Sequence, residues 1–249
     1  MKPIRMVPIK KVLVIKLSAV GDFVLAIPAF ERIRAAHRDA KITLLTTPPF
    51  ESLARSSPFF DRVEIDGRPS NPAAWLGLIA RLRANRYDRV YDLQNSGRTS
   101  LYFQMLRPFP PQWSGVAIGA SHRHRNPDRM KMHALERQAQ QLEIAGIWPD
   151  APTKPLSAAP PDLTWVLNKS PAARPISQSN PRPVVLMIPG SSAHRPEKRW
   201  PIEHYARLAE RLSAEGFDIV VIGGLQEADL AHAIQRRAPR ARDLTGRTD

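Results

Sequence analysis

The chain contains no cysteine. Its absence excludes disulfide staples, thiolate metal sites and a thiol nucleophile, and it fits a reducing compartment, with the cytosol as the expected one. Long apolar runs are missing as well. Although 43% of the residues are hydrophobic, no window comes near the roughly 18 consecutive apolar residues that a membrane span needs, so a soluble or peripheral protein is expected. The first ten residues, MKPIRMVPIK, carry charge without the apolar core and small-residue cleavage site of a secretory signal. Acidic side chains are in short supply: 23 Asp and Glu stand against 37 Lys and Arg, a formal net charge of +14. That excess suits a polyanionic partner, whether nucleic acid, an acidic membrane face or a phosphorylated small molecule, and does not choose among them. No G-x-G-x-x-G follows a strand-like run, which tells against a nicotinamide dehydrogenase. The five Trp are scattered rather than grouped as a base-stacking platform, and no nucleic-acid-binding module accompanies the basic charge, so no nucleic-acid partner is expected.

What is present is an alternation of strand-like and helix-like segments. KVLVIKL (11–17) has the β-branched, nearly continuous apolar character of a strand buried on both faces, and SAVGD breaks it. FVLAIPAFERIRAAH follows at helical spacing, with Pro28 bending or interrupting its first turns. KITLLT, RVEI and RVYDL read as further strands, PAAWLGLIARLRANR as an amphipathic helix, and HALERQAQQLEIAGI as a helix closing at Gly146. From Pro149 to Pro183 the texture becomes proline-dense and aperiodic, a linker or extended crossover. The pattern then restarts with VVLMI as strand, PIEHYARLAERLSAEG as helix, DIVVIGG as strand and LQEADLAHAIQRRA as helix. Strands alternating with helices predict an α/β, doubly wound architecture in two domains: 1–150, a linker over 151–182, and a second, incomplete domain over 183–249.

In such sheets ligands gather at the carboxyl ends of strands, and the polar residues placed there are the candidates. Asp22 has two readings. It caps a helix by accepting from first-turn amides, or it serves as a general base facing a cleft. DLQNSGRTS offers Gln94, Asn95 and Arg98 to the same edge, with Arg98 either solvated or paired bidentately with a carboxylate or phosphate. In PGSSAHRPEKRWP, Gly190 permits close backbone approach, Ser191 and Ser192 supply hydroxyls, and Lys198 supplies a cation before Pro201 opens a helix. This is the composition of a phosphate cradle or, equally, of a polar surface loop. Glu227, near the start of a helix after Gly223 and Gly224, either complements the helix dipole or accepts from ribose hydroxyls. ASHRHRNPDRMKMH carries Arg123 and Arg125 among seven basic side chains. It reads as a mobile basic loop gripping an acidic acceptor, or as a solvated charge run. Two histidines without a carboxylate helper make a poor metal site, so no metal and no cofactor are expected.

Taken in order, the strand followed by SAVGDFVLAIPAF, then YDLQNSGRTS, IPGSSAHRPEKRWP and VVIGGLQEADLA, resemble the heptosyltransferases of bacterial lipopolysaccharide synthesis, glycosyltransferase family nine. The resemblance runs from about Lys11 to the last residue. It implies a GT-B architecture, two Rossmann-like domains facing across a cleft, with the acceptor on the first and the nucleotide sugar on the second. It further implies an inverting transfer of heptose from ADP-heptose to an acidic, phosphorylated glycolipid of the inner core, by a monomer in peripheral contact with the anionic cytosolic face of the inner membrane. Position by position, it implies Asp22 as the catalytic base, Arg98 near the acceptor, Ser191, Ser192 and Lys198 on the donor diphosphate, and Glu227 near the donor nucleoside. The spacing from Ser192 to Lys198 is longer than in some relatives. Family members continue past LTGRTD into an Asp-x-Gly-x-x-His segment that grips the donor, so a C-terminally truncated member is expected. The alternatives are an inactive remnant of that family and a basic nucleic-acid-binding protein.

Overall fold

The computed structural model describes residues 8–149, 162–167, 182–191 and 196–247. The chain divides into two compact units, Met1–Pro171 and Ala172–Asp249.

The first unit is built on six strands: β1 (Lys11–Ile15), β2 (Lys41–Thr46), β3 (Arg62–Ile65), β4 (Arg89–Asp92), β5 (Gln112–Gly115) and β6 (His122–Arg123). All neighbours are parallel, in the order β3-β2-β1-β4-β5-β6. Side chains alternate across a strand, so β1 feeds two cores. Val12 and Val14 pack with Phe30, Ile33, Ile42 and Leu44 on one face, and Leu13 and Ile15 with Leu78, Leu82, Tyr102 and Trp113 on the other. A strand buried on both faces has no polar position to spare, hence the unbroken VLVI. In this order the winding reverses between β1 and β4, which is where open α/β sheets leave a crevice at their carboxyl edge.

The helices of this unit are α1 (Val20–Val24), α2 (Ile27–Ala36), α3 (Glu51–Ser56), α4 (Pro72–Asn85), α5 (Gly97–Met105), α6 (Ala134–Ile144) and the short α7 (Thr164–Leu167). The single helix expected over 23–37 is two, and Pro28 takes the second position of α2, where its missing N–H costs nothing. Asn71 opens α4 by accepting from the Ala74 amide at 2.8 Å, with Pro72 at the first helical position. Gly146 ends the α6 segment at a φ of +77°, a conformation that glycine adopts without strain. One expectation is corrected. The basic segment after β5 is not a plain loop, since it contributes β6 and a 3-10 turn at Pro127–Met130, with His124 buried and bonded to Gln140 Oε1 at 2.7 Å. Within the proline-rich stretch, α7 sets the Trp165 ring edge-on to Phe59 at 5.9 Å, because an apolar ring of that size packs wherever core surface is open.

The second unit holds β7 (Val184–Met187), β8 (Asp218–Val221) and β9 (Arg242–Asp243), parallel in that order, with α8 (Ile202–Ala214) and α9 (Ala228–Gln235). Met187, Ile219 and Val221 pack against Ala209, Ala231, Ile234 and Ala238 on one face of this sheet. Among the described residues of the whole chain, no helix is long and apolar enough to cross a membrane.

Candidate functional site

Asp22 is the third residue of α1 and is exposed at the carboxyl edge of the first sheet. Its Oδ2 accepts from the Ala19 amide at 3.4 Å, so it takes part in a capping geometry while staying open to solvent. The loop that carries it is tied down from the neighbouring strand. Gln94 Oε1 accepts from the amides of Leu17 at 2.9 Å and Ser18 at 3.2 Å, stapling the β1 loop to the β4 loop across the point where the sheet reverses. Asn95, at a φ of +52°, uses its amide in the same way: Oδ1 accepts from Val116 N at 3.1 Å, and Nδ2 donates to Gln141 Oε1 at 2.7 Å. Both residues, expected to meet an acceptor, are engaged inside the protein as loop fasteners.

Arg98 is similarly occupied. Its guanidinium donates to Asp66 through Nη2 at 3.3 Å and to the Tyr102 hydroxyl at 2.6 Å, and it lies 4.7 Å from the centre of the Trp75 ring. Tyr102 in turn donates to Asp66. Asp66 lines a pocket of about 410 Å³ over the ends of β1, β2 and β3, with Leu17, Val20, Pro48, Phe50 and Arg68 among its other walls. A concave, mostly apolar volume with a few convergent polar groups is the usual form of a small-molecule site. One wall, Ser18 to Val20, is the loop that leads into Asp22. Arg123 donates to the Val116 carbonyl at 3.2 Å, and Arg125 is exposed two residues beyond.

Three residues at this edge, Lys16, Asp92 and Arg137, went unnoticed in the sequence. Lys16, directly after β1, is only 5% exposed. Burial pulls its ammonium below the ordinary lysine range, Asp22 opposes that, Arg137 adds to it, and Asp92 opposes it again. Asp92, the last residue of β4, is fully buried. Burial pushes its carboxyl up to about 6, against the Asn95 amide, the Thr99 hydroxyl, the Gln94 amide and the charge of Lys16. Its Oδ1 accepts from those two amides at 2.8 and 3.1 Å, while Oδ2 is buried without a hydrogen-bond partner among the described residues. Arg129 is lowered by burial and by Arg137, with Asp92 acting the other way. A charged residue interrupting an apolar strand run is a readable signal, and KVLVIKL contains one at Lys16. Arg129 belongs to the basic run already noted after β5, whereas Arg137 left no such mark.

In the second unit, the loops after β7 and β8 converge on Glu227, which is 5% exposed. A Cβ on Gly190 would fall 2.5 Å from Glu227 Cγ, and one on Gly224 would fall 3.1 Å from Oε2. Gly190 thus leaves room for the carboxylate that a side chain there would displace, and Gly224 leaves it a tighter margin. Ser191 follows Gly190, and its carbonyl accepts from Arg199 Nη2 at 2.9 Å. Lys198 is exposed at the end of a 3-10 turn, Pro196–Lys198. Ser192 lies outside the described residues.

A reversing parallel sheet with charges at its switch point, together with a second parallel unit whose strand ends enclose a carboxylate, defines a Rossmann-type α/β protein in two parts. The chain belongs to glycosyltransferase family 9, the heptosyltransferases, whose family model matches residues 75–249. It is 29% identical over 244 residues to lipopolysaccharide heptosyltransferase 2 of Escherichia coli K12, an alignment covering 90% of this chain and 66% of that protein. Among solved structures, E. coli ADP-heptose lps heptosyltransferase II superposes with a TM-score of 0.69 at 24% identity, covering 96% of this chain and 73% of that one. A family 9 glycosyl transferase from Veillonella parvula gives 0.74 at 21% identity, covering 96% and 70%. The fold is thus the parallel α/β fold of the GT-B heptosyltransferases, and the chain spans 66% of the length of the lipopolysaccharide heptosyltransferase 2 proteins of Escherichia coli and Salmonella typhimurium.

Proposed function

We propose that the protein transfers heptose from ADP-heptose to an acidic, phosphorylated acceptor of the lipopolysaccharide inner core, with inversion at the anomeric carbon. The observation that carries this reading is Asp22: a solvent-facing carboxylate on a stapled loop, at the switch point of the sheet and beside a pocket of about 410 Å³. Asp22 takes the proton from the acceptor hydroxyl as that oxygen attacks the anomeric carbon. The bond from that carbon to the diphosphate oxygen breaks, and ADP leaves with the electron pair. A single displacement with one base inverts the configuration, by the geometry that separates inverting from retaining glycosidases.

The second unit holds the donor in this reading. Ser191 and Ser192 bind the diphosphate, Lys198 stabilises the charge that builds on it, and Glu227 accepts from the nucleoside. The acceptor rests on the first unit, where Arg123 and Arg125, joined by Arg129 and Arg137, favour its phosphates and carboxylates, while Gln94, Asn95 and Arg98 shape the floor beneath. The net charge of +14 draws the protein to the anionic cytosolic face of the inner membrane as a peripheral monomer.

The test is transfer from ADP-heptose to a heptose-deficient core lipid. Asp22→Asn is expected to lower kcat about a hundredfold or more while leaving ADP binding intact, the scale on which a general base contributes. An unchanged turnover number removes Asp22 as the base. Failure of the parent chain to bind ADP by calorimetry removes the donor assignments and favours an inactive member of the family.

A further inference from the structure

Past the end of β1 the chain leaves the sheet ladder, and side chains take over the pairing of its backbone. The Lys16 amide still donates to the Leu45 carbonyl of β2 at 3.0 Å, and the Leu93 amide of the β4 side to the Ile15 carbonyl at 3.1 Å. Beyond them, the Leu17 and Ser18 amides donate to Gln94 Oε1 at 2.9 and 3.2 Å, and the Leu17 carbonyl accepts from the Thr47 hydroxyl at 2.7 Å. Leu17 is 2% exposed and Thr47 4%, so water cannot replace these bonds, and a buried backbone group left unpaired is costly. One side chain from the loop after each neighbouring strand thus stands in for the ladder. Both are held in turn. Asp92 Oδ1 accepts from the Gln94 and Asn95 amides, and Gln141 of α6 locks that turn by accepting from Asn95 Nδ2 at 2.7 Å and donating to the Asp92 carbonyl at 3.0 Å. Thr47 directly follows β2, and its carbonyl accepts from the Phe50 amide at 3.0 Å.

We propose that Gln94 and Thr47 are positioning residues for Asp22: their side chains clamp Leu17 and Ser18 from the two neighbouring strands and so fix how the chain enters the helix that bears the carboxylate. The inference rests on the reading of Asp22 as the base. Ala19, the next residue, caps that helix. Its carbonyl accepts from the Phe23 amide at 2.8 Å and its own amide donates to Asp22 Oδ2 at 3.4 Å, so the clamped pair leads directly into the turn that carries Asp22. Phe23, 1% exposed in the core, anchors the far side of the same turn. The two side chains act through the loop rather than on the sugar.

The experiment combines amide exchange with transfer kinetics on the full chain. Gln94→Met removes the shared acceptor and Thr47→Val removes the hydroxyl, each with little change of shape. In Gln94→Met, protection of the Leu17 and Ser18 amides is expected to fall about tenfold or more, while Val12 and Val14 in the ladder keep theirs. Unchanged protection at Leu17 and Ser18, or a loss that spreads to Val12 and Val14, overturns the inference. In the transfer assay, each variant is expected to lower kcat about tenfold with the acceptor KM within about twofold of the parent, and Thr47→Ser, which keeps the hydroxyl, to recover most of the loss. A loss confined to KM, or equal losses in Thr47→Val and Thr47→Ser, overturns the positioning role. Because the clamp acts through Asp22, Gln94→Met should lower kcat little further once Asp22→Asn is present, and losses that multiply in the double variant overturn the inference. Should Asp22→Asn alone keep full turnover, the base assignment falls, and amide exchange still decides whether Gln94 holds the loop. The two failures are thereby separated.

Discussion

The two units are built by the same rule and finished differently. In the first, a six-stranded sheet carries core on both faces at its centre, with Val14 serving one cluster and Ile15 the other. In the second, three strands pack α8 and α9 against one face, while on the other Leu186 is 50% exposed and Ile188 60%, although Val220 of the central strand is buried there. A parallel sheet normally buries both faces. The contrast teaches where stability sits: a side chain of given size should matter far more in the first sheet than on the open face of the second.

The largest effect that tests this contrast comes from Phe30. It is 1% exposed and packs edge-on to Phe23 at 5.4 Å and Phe60 at 5.0 Å. Phe30→Ala should cost the first unit about 3–5 kcal/mol, read by hydrogen exchange of the β1 and β2 amides, with β8 unaffected. Equal loss of protection in β8 would mean that the units do not unfold separately.

The next effect is a pH dependence peculiar to the first unit. His37 is buried with its Nε2 2.7 Å from the Tyr91 hydroxyl, and burial, then Arg89 and Arg34, hold its pKa down to about 4 from 6.5. The folded imidazole binds its proton later than the unfolded one, so its contribution is complete above about pH 6.5 and is lost as pH falls toward 4. Asp92 has the opposite sign. Its folded carboxyl protonates near 6 rather than 3.8, so acidification through 6 relieves a buried charge and adds stability. Each is worth about 3 kcal/mol, and in the parent chain they largely offset. Asp92→Asn removes one side, and its urea-derived stability should fall by about 3 kcal/mol more than the parent's between pH 7 and 4. Parallel curves would remove Asp92 from the balance.

Smallest is the effect at the open face. Leu186→Thr keeps a strand-forming residue at a half-exposed position and should stay within about 0.5 kcal/mol of the parent in β8 exchange. A loss comparable to Phe30→Ala would mean that the face is covered in solution.

How much of this was legible follows the same divide between buried and polar. KITLLT and RVEI became β2 and β3 with the expected limits, because apolar runs bounded by turns leave little choice. Gly146 and Gly216 closed their helices at positive φ as their placement implied. Strand β5 was missed because QWSG has only one large apolar residue, Trp113, and its burial depends on partners far along the chain. That Asp22 would stand at the carboxyl edge of the first sheet was legible from its place after a strand. That Gln94, Asn95 and Arg98 would be engaged within the protein was not, because a side-chain amide or guanidinium looks the same in sequence whether it meets a ligand or a neighbouring loop.

The Gln94 staple has a mechanical corollary. With the two loop amides joined to one side-chain oxygen, the ends of β1 and β4 behave as one plate, and Asp22 rides on it. A carboxylate mounted in this way inherits the stiffness of the strand pair below it, so in the proposed transfer alignment with a hydroxyl would be settled by how the incoming sugar seats itself rather than by any search on the part of the aspartate.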